Sequence, residues 1–227
     1  MIETMKDPRP ELEKYKKFTE KGQKKITEIC QAAARVFHEK GYLSATLADV
    51  ANAAGLTKGA IFHYFSTKEE LLFLILYRYT DNALRELNEN LNSINSPHDR
   101  IYAYIYLFIM TYKEKRFESR LALNAVVNLP EKFLNIMREK QGEFVRILRS
   151  LVVDLLEKKE RKPESVTLLT YSLLGMCTWP YRWFNLEGKS TPEELTMMIY
   201  KIFMGQIEFN KSGADPGISP GVEKFLN

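Results

Sequence analysis

Apolar residues recur along this chain at intervals of three and four, the spacing that aligns side chains on one face of a helix. Between Lys21 and Lys40 they are Ile26, Ile29, Cys30, Ala33, Val36 and Phe37, and Gly41 then ends the stripe as a left-handed C-terminal glycine would. Thr46 stands where a cap belongs, with Asp49 just after it and Leu47, Val50, Ala51 and Ala54 as a buried face. Gly55 breaks that short helix and Leu56 plugs the turn. Thr57 caps a second short helix, expected over about Thr57 to Tyr64. Thr67 with Glu70 forms a capping box for a third, which runs on through Leu71, Leu72, Ile75 and Leu76. A helix, a glycine-containing turn and a second short helix make a helix-turn-helix pattern.

The remainder reads as helix throughout. Tyr77 to Leu91 keeps helical spacing, and Ser96 with Pro97 restarts the chain. Ile101 to Tyr112 is apolar on several faces, as expected of a helix buried between neighbours. Leu121 to Leu129 follows. Pro130 suits the first turn of a long helix that ends in the charged stretch Glu157 to Lys162. Pro163 starts another, expected to reach about Leu186, and Gly188 breaks it. Thr191, Pro192 and Glu194 supply a cap, a first-turn proline and a capping-box glutamate for a last helix to about Asn210. That helix has two apolar sides: Leu195, Met198, Ile199, Ile202, Phe203 and Gln206 on one, Met197, Tyr200, Met204 and Ile207 on much of another. Two such sides fit either a helix-bundle dimer interface or a helix sunk in a monomer core. With no strand pattern and no repeat, the fold class is all-α.

Composition narrows the class further. At 45% hydrophobic and 27% charged, the chain belongs with ordinary globular proteins rather than disordered ones. The divisions expected are an N-terminal extension over 1–20, a helix-turn-helix domain over 21–68, a helical body over 69–211 and a flexible tail over 212–227. The opening residues lack an apolar core, so they do not read as a signal peptide. Ile101 to Met110 is too short and too rich in tyrosine to span a bilayer. Cys30 and Cys177 form no CxxC pair and read as two small buried hydrophobes, which suits a reducing cytoplasm. No metal or cofactor is expected. The net charge of +4 is unevenly spread. From Lys14 to Lys68 there are ten basic residues and four acidic ones, so the excess lies in the N-terminal third. This suits a polyanion-binding head on a nearly neutral body, or equally a solvated lysine-rich helix.

Ile26 to Leu72 resembles the DNA-binding domain of the TetR family of transcriptional regulators. The stretch AGLTKGAIFHYFSTKEELL carries most of the likeness, together with Ile26, Ala32, Ala33, Phe37, Gly41, Thr46, Val50 and Ala51. The resemblance implies a dimer that binds a palindromic double-stranded DNA operator, with recognition helices about one DNA turn apart, ~34–36 Å. Thr57 and Lys58 then sit on the turn entering the major groove, where a lysine can reach a guanine edge or a phosphate. Gly59 and Ala60 are small enough to let the backbone approach. Thr46 caps a helix whose N-terminus can receive a phosphate. By similarity, His63 lies where an aromatic touches DNA, and Tyr64 and Lys68 are placed for backbone contacts. Phe62 departs from the family pattern, which has a tyrosine there. Lys24 and Lys25 read as phosphate contacts or as solvated lysines.

The same resemblance implies a small-molecule sensor in the second domain. GMCTWPYRWFNLEGKSTPEEL is similar to a subgroup that answers to acyl-CoA thioesters of fatty-acid, aromatic-acid or steroid degradation. Tyr102, Tyr106, Trp179 and Trp183 are the expected lining, with Asn124 and Arg182 as polar anchors. Arg182 and the cluster Lys113, Lys115, Arg116 and Arg120 are available for phosphates. The tryptophans read equally as core or dimer-interface aromatics. A ligand favouring the non-binding form would release the operator, and operator would weaken ligand binding by the same factor. The competing sensor reading is a multidrug-type regulator taking lipophilic cations, in a pocket with buried acids. An acyl-CoA-processing enzyme is the alternative of another class. Against it, His38, His63 and His98 lie on separate elements, and GxSxG, HExxH and a phosphate-binding loop are all missing.

Overall fold

The computed structural model describes residues 10–156, 161–185 and 187–212, and among them every regular element is helical. The order is α1 (Pro10–Lys16), α2 (Glu20–Lys40), α3 (Leu47–Ala53), α4 (Lys58–Ile61), α5 (Lys68–Asn92), α6 (Pro97–Glu114), α7 (Arg116–Asn124), α8 (Glu131–Leu155), α9 (Pro163–Thr178) and α10 (Pro192–Ser212). Short 3-10 turns cover Val126–Asn128 and Trp179–Arg182. The tail expected over 212–227 and the stretch 157–160 fall outside, or at the edge of, the described residues.

Local chemistry sets most helix starts. The side chains of Thr46, Thr57, Thr67 and Ser96 each accept a hydrogen bond from a backbone N–H of the first turn. At α10 the Thr191 hydroxyl accepts from the Glu194 N–H at 3.1 Å, and the Glu194 carboxylate accepts from the Thr191 N–H at 2.9 Å. Gly41 and Gly55 carry the only positive φ values among the described residues, +79° and +64°. Gly41 ends α2 with ψ of 139°, an extended conformation beyond the left-handed helical one and open to glycine alone.

Several boundaries differ from the sequence reading. α4 stops at Ile61, and the chain tightens into i→i+3 bonds, His63 N–H to Ala60 and Tyr64 N–H to Ile61. α9 stops at Thr178 rather than near Leu186: Pro180 lacks the N–H that would continue the ladder, and the chain passes with helical backbone at Trp179 into the 3-10 turn. Pro130 is the N-cap of α8 rather than a first-turn residue. α5 is one continuous helix of 25 residues that joins head to body.

The largest surprise is α1, in what reads as a polar extension. Leu12 and Tyr15 are fully buried, and Tyr15 packs against Phe65 with ring centroids 5.7 Å apart. Lys14 pairs with Glu70, and the Gln23 side chain donates to the Tyr15 carbonyl. One apolar cluster unites α1–α4, the first half of α5, α7 and the start of α8. A second unites the end of α5 with α6, the rest of α8, α9 and α10. Cys30 and Cys177 are free and buried, and burial pushes each thiol up to about 12, so neither is a thiolate at neutral pH.

Candidate nucleic-acid interface and effector cavity

α3, the Gly55 turn and α4 present a compact corner. The Leu56 N–H closes it by donating to the Ala51 carbonyl at 2.8 Å. Val50, Ala51, Ile61 and Phe65 face inward and are buried. Thr57, Lys58, Gly59, Phe62 and His63 are exposed and Tyr64 is half-buried, so the expected contact residues of α4 share one outer surface. A Cβ added at Gly59 would meet nothing within 4 Å, so the backbone there is open to a partner. Behind it, Phe18 stacks on Tyr64 at 5.5 Å and meets the His63 ring edge-on at 5.6 Å. Phe18, which follows α1, therefore orients two side chains of this surface. The signal was legible in Leu12, Tyr15 and Phe18, spaced by three.

Two lysines do something other than the sequence reading assigns them, whereas Thr46 caps α3 as that reading expects. The Lys68 ammonium donates to the carbonyls of Tyr42, Leu43 and Ala45 at 2.8, 3.1 and 2.9 Å, and lies 4.6 Å from the Tyr42 ring centre. An ammonium has three donors, and all three are spent on the α2–α3 loop. Lys68 is thus a brace for that loop and not a free phosphate ligand. Lys25 likewise donates to the Ala54 carbonyl at 3.2 Å, at the end of α3. The Thr46 hydroxyl donates to the Asp49 carboxylate at 2.8 Å and accepts from the Asp49 N–H at 3.2 Å. Thr46 is committed to capping α3. The Lys40 ammonium, 2.5 Å from Asp49, and the Thr46 bonds hold the Asp49 carboxyl down to about 2.

The body contains a cavity of about 410 Å³ between α5, α6, α7, α8 and α9. Leu87, Leu107, Phe108, Ala122, Phe144 and Leu174 give it apolar walls. Its polar wall groups are largely satisfied within the protein. The Tyr79 hydroxyl meets Ser119 Oγ at 3.0 Å, Ser119 donates to the Lys115 carbonyl at 2.7 Å, and Tyr112 donates to the Cys177 carbonyl at 3.1 Å. Burial pushes the Tyr79 hydroxyl up to about 12, so it stays protonated. Exposed Glu86 and Gln141 stand at the rim, and no carboxylate is buried among the described lining residues.

The residues expected to line an effector pocket lie elsewhere. Tyr102 packs edge-on against Tyr200 of α10, 5.6 Å between rings, and Tyr106, one turn on, does not reach the cavity either. Both project from α6 away from the face that carries Leu107, Phe108 and Thr111. Trp179 and Trp183 are 62% and 57% exposed. Asn124 and Arg182 line a different opening, a cleft between head and body. The lining of this cavity was missed because it takes two to five residues from each of five helices that look like ordinary core.

α9 and α10 leave a second surface open. Leu168, Tyr171, Ser172 and Gly175 recur at helical spacing on α9 and are exposed, as are Met197, Met198, Ile202 and Gly205 on α10. Ile199, Phe203 and Met204 turn inward. The two apolar sides of α10 are therefore real but divided differently: Met198 and Ile202 go with Met197 outward. Trp179 continues the exposed α9 stripe by one further turn.

An exposed helix-turn-helix on an all-helical body that encloses a cavity is the architecture of a DNA-binding regulator. Residues 29–75 match the family model described as bacterial regulatory proteins, tetR family, and residues 95–207 match that described as tetracyclin repressor-like, C-terminal domain. The chain belongs to the TetR family of transcriptional regulators. It is similar to the HTH-type transcriptional repressor KstR2 of Mycolicibacterium smegmatis, 25% identical over 189 residues, covering 79% of this chain and 89% of that protein. A TetR-family regulator from Bordetella parapertussis superposes with a TM-score of 0.74 at 26% identity, over 79% of this chain and 93% of the other. AibR, solved with isovaleryl coenzyme A and operator DNA, superposes with a TM-score of 0.71 at 23% identity, over 78% and 97%. No helix among the described residues is long and apolar enough to cross a membrane.

Proposed function

We propose that this protein is a cytoplasmic repressor that binds a palindromic operator as a homodimer and is released when an acyl-CoA seats its acyl group in the body cavity. The carrying observation is the cavity itself, about 410 Å³, with apolar walls and no buried carboxylate among its described lining. An acyl chain gains by leaving water for such walls, at roughly 25 cal/mol per Å² of apolar surface buried. A lipophilic cation finds only Glu86 at the exposed rim, where solvent screens it. AibR, held with isovaleryl coenzyme A and operator DNA, and KstR2, a repressor, support the class of effector and the sense of control.

On this reading Thr57, Lys58 and Gly59 meet the major groove, and His63 and Tyr64 touch the flanking backbone. The exposed α9–α10 face closes against its copy, since apolar residues at that spacing form a self-complementary patch. The effector acts by fitting better when the two heads are splayed, and it shifts the population that way.

Fluorescence anisotropy on the DNA upstream of its own gene tests the proposal. The expected result is tight binding that falls steeply with salt and is reversed by a medium- or long-chain acyl-CoA. Reversal only by lipophilic cations would replace the effector and keep the head. Ligand affinity unchanged by saturating operator would defeat the release mechanism, because coupling between two sites is reciprocal.

A further inference from the structure

Between head and body lies a cleft of about 690 Å³, larger than the acyl cavity and on the opposite side of α7. Ala122 and Leu123 of α7 face the cavity, whereas Arg120 and Asn124 face the cleft. We propose that this cleft is a binding site for a nucleotide-like phosphate ester, with its phosphates held by Arg120, Arg182 and His38 and its organic part against Tyr181.

The charge of the lining argues for an anion. Arg120 comes from the body, Arg182 from the turn after α9 and His38 from the end of α2, and no carboxylate is among the described residues that line the cleft. Glu39 and Glu187 lie nearby, Glu187 4.0 Å from Arg116 with both side chains exposed, but neither lines the opening. Burial first, then the Arg120 and Arg116 guanidinium groups, keep the His38 pKa below its ordinary value. The two guanidinium groups thus set a positive field at His38, and a bound anion offsets it. Two guanidinium groups suit a multiply charged phosphate better than a single carboxylate, because each can make paired charge-assisted hydrogen bonds.

The site is also held in shape. Arg182 Nε donates to the Tyr181 hydroxyl at 3.2 Å, Tyr181 donates to Asn124 Oδ1 at 3.2 Å, and Asn124 Nδ2 donates to the Arg120 carbonyl at 2.8 Å. This chain of bonds ties the Trp179–Arg182 turn to α7. Across the cleft, the Tyr42–Ser44 wall is the loop that Lys68 braces, two residues before Thr46, the cap of α3. The volume exceeds what an inorganic ion needs, and the half-buried Tyr181 ring offers a flat wall for a ring system. A ligand here would join α7 to the root of the helix-turn-helix and so bias the angle of the head.

Isothermal titration calorimetry on the full chain tests this with three probes: adenosine 3′,5′-bisphosphate, decanoyl-CoA, and S-decanoyl pantetheine, which carries no phosphate. The variants are Arg120→Gln/Arg182→Gln from the body side and His38→Gln from the head side. Both arginines are exposed, so the double variant is expected to melt with the wild type. The pantetheine thioester reports on the acyl cavity alone and is expected to bind all forms equally. Bisphosphate binding that weakens about tenfold or more in the double variant would establish the cleft as a nucleotide site. Weakening confined to decanoyl-CoA would show that the phosphates belong to the ligand whose acyl end occupies the cavity. If neither phosphate-bearing probe distinguishes the variants from wild type, the proposal is overturned, whatever the pantetheine thioester does.

Discussion

The head and the body are both helical, yet they hold their functional groups in opposite ways. In the head, Thr46, Thr57 and Thr67 start three helices by side-chain caps within a span of about twenty residues, and the outward-facing groups are near neighbours in sequence. In the body, the cavity borrows from five helices, and its wall groups meet only because α5, α6 and α8 pack together. Local hydrogen bonds can therefore define the head's surface. The body's chamber depends on long-range apolar packing, and single residues there carry little of its identity. Arg78 joins the two regimes: from α5 it donates to Thr27 and Gln23 of α2 at 3.1 and 3.2 Å, so the helix that walls the cavity also grips the head.

The sharpest way to break this contrast lies at the proposed dimer face. Met198→Glu/Ile202→Glu places charges on the exposed α10 stripe, and the chain is expected to sediment as a monomer. Operator affinity should then fall on the order of a hundredfold, since the second head no longer binds at high effective concentration. A dimer with wild-type affinity would remove the α9–α10 face as the interface.

Within the head, Lys68 and Lys58 separate support from contact. Lys68→Met leaves the carbonyls of Tyr42, Leu43 and Ala45 without their shared donor, and the expected cost is about 2 kcal/mol of stability. For a chain of this size that lowers Tm by roughly 6 °C, measurable by circular dichroism. Lys58→Ala should leave Tm unchanged and weaken operator binding by about tenfold, with a salt slope shallower by about one. A stable Lys68→Met that fails on DNA, or a destabilised Lys58→Ala, would reverse the two assignments.

The smallest effect concerns pH. The Asp49 carboxyl titrates at about 2 in the folded chain, below its ordinary value, first because of Lys40 and then Thr46. A depressed carboxyl adds stability that is complete above the ordinary carboxylate range and is lost as pH falls through about 2. Urea midpoints of wild type and Asp49→Asn should therefore converge as pH is lowered from 5 towards 2.

Much of the head was open to reading because its signals are local. Gly41, Gly55 and the three threonine caps each act on backbone within a few residues, so residue type and spacing reveal them. Lys68 escaped that reading: its position matches a DNA-facing pattern, but its partners are 23 to 26 positions away. α1 escaped because Leu12, Tyr15 and Phe18 are sparse among charges, and their burial depends on Phe65 and Tyr64. In the body, aromatic residues drew the eye to Tyr102, Trp179 and Trp183, although the chamber is lined chiefly by residues such as Leu107, Ala122 and Leu174.

By itself, the order of residues determined that this chain is all-helical, where most helices begin, and that one corner of it is a helix-turn-helix, because caps, glycines and three-four spacing act through the backbone's own neighbours. Only the tertiary structure decided which side of α7 is apolar and which is cationic, which of α10's two apolar sides is buried, and that Lys68 turns inward. Those outcomes depend on which distant helix arrives against each face.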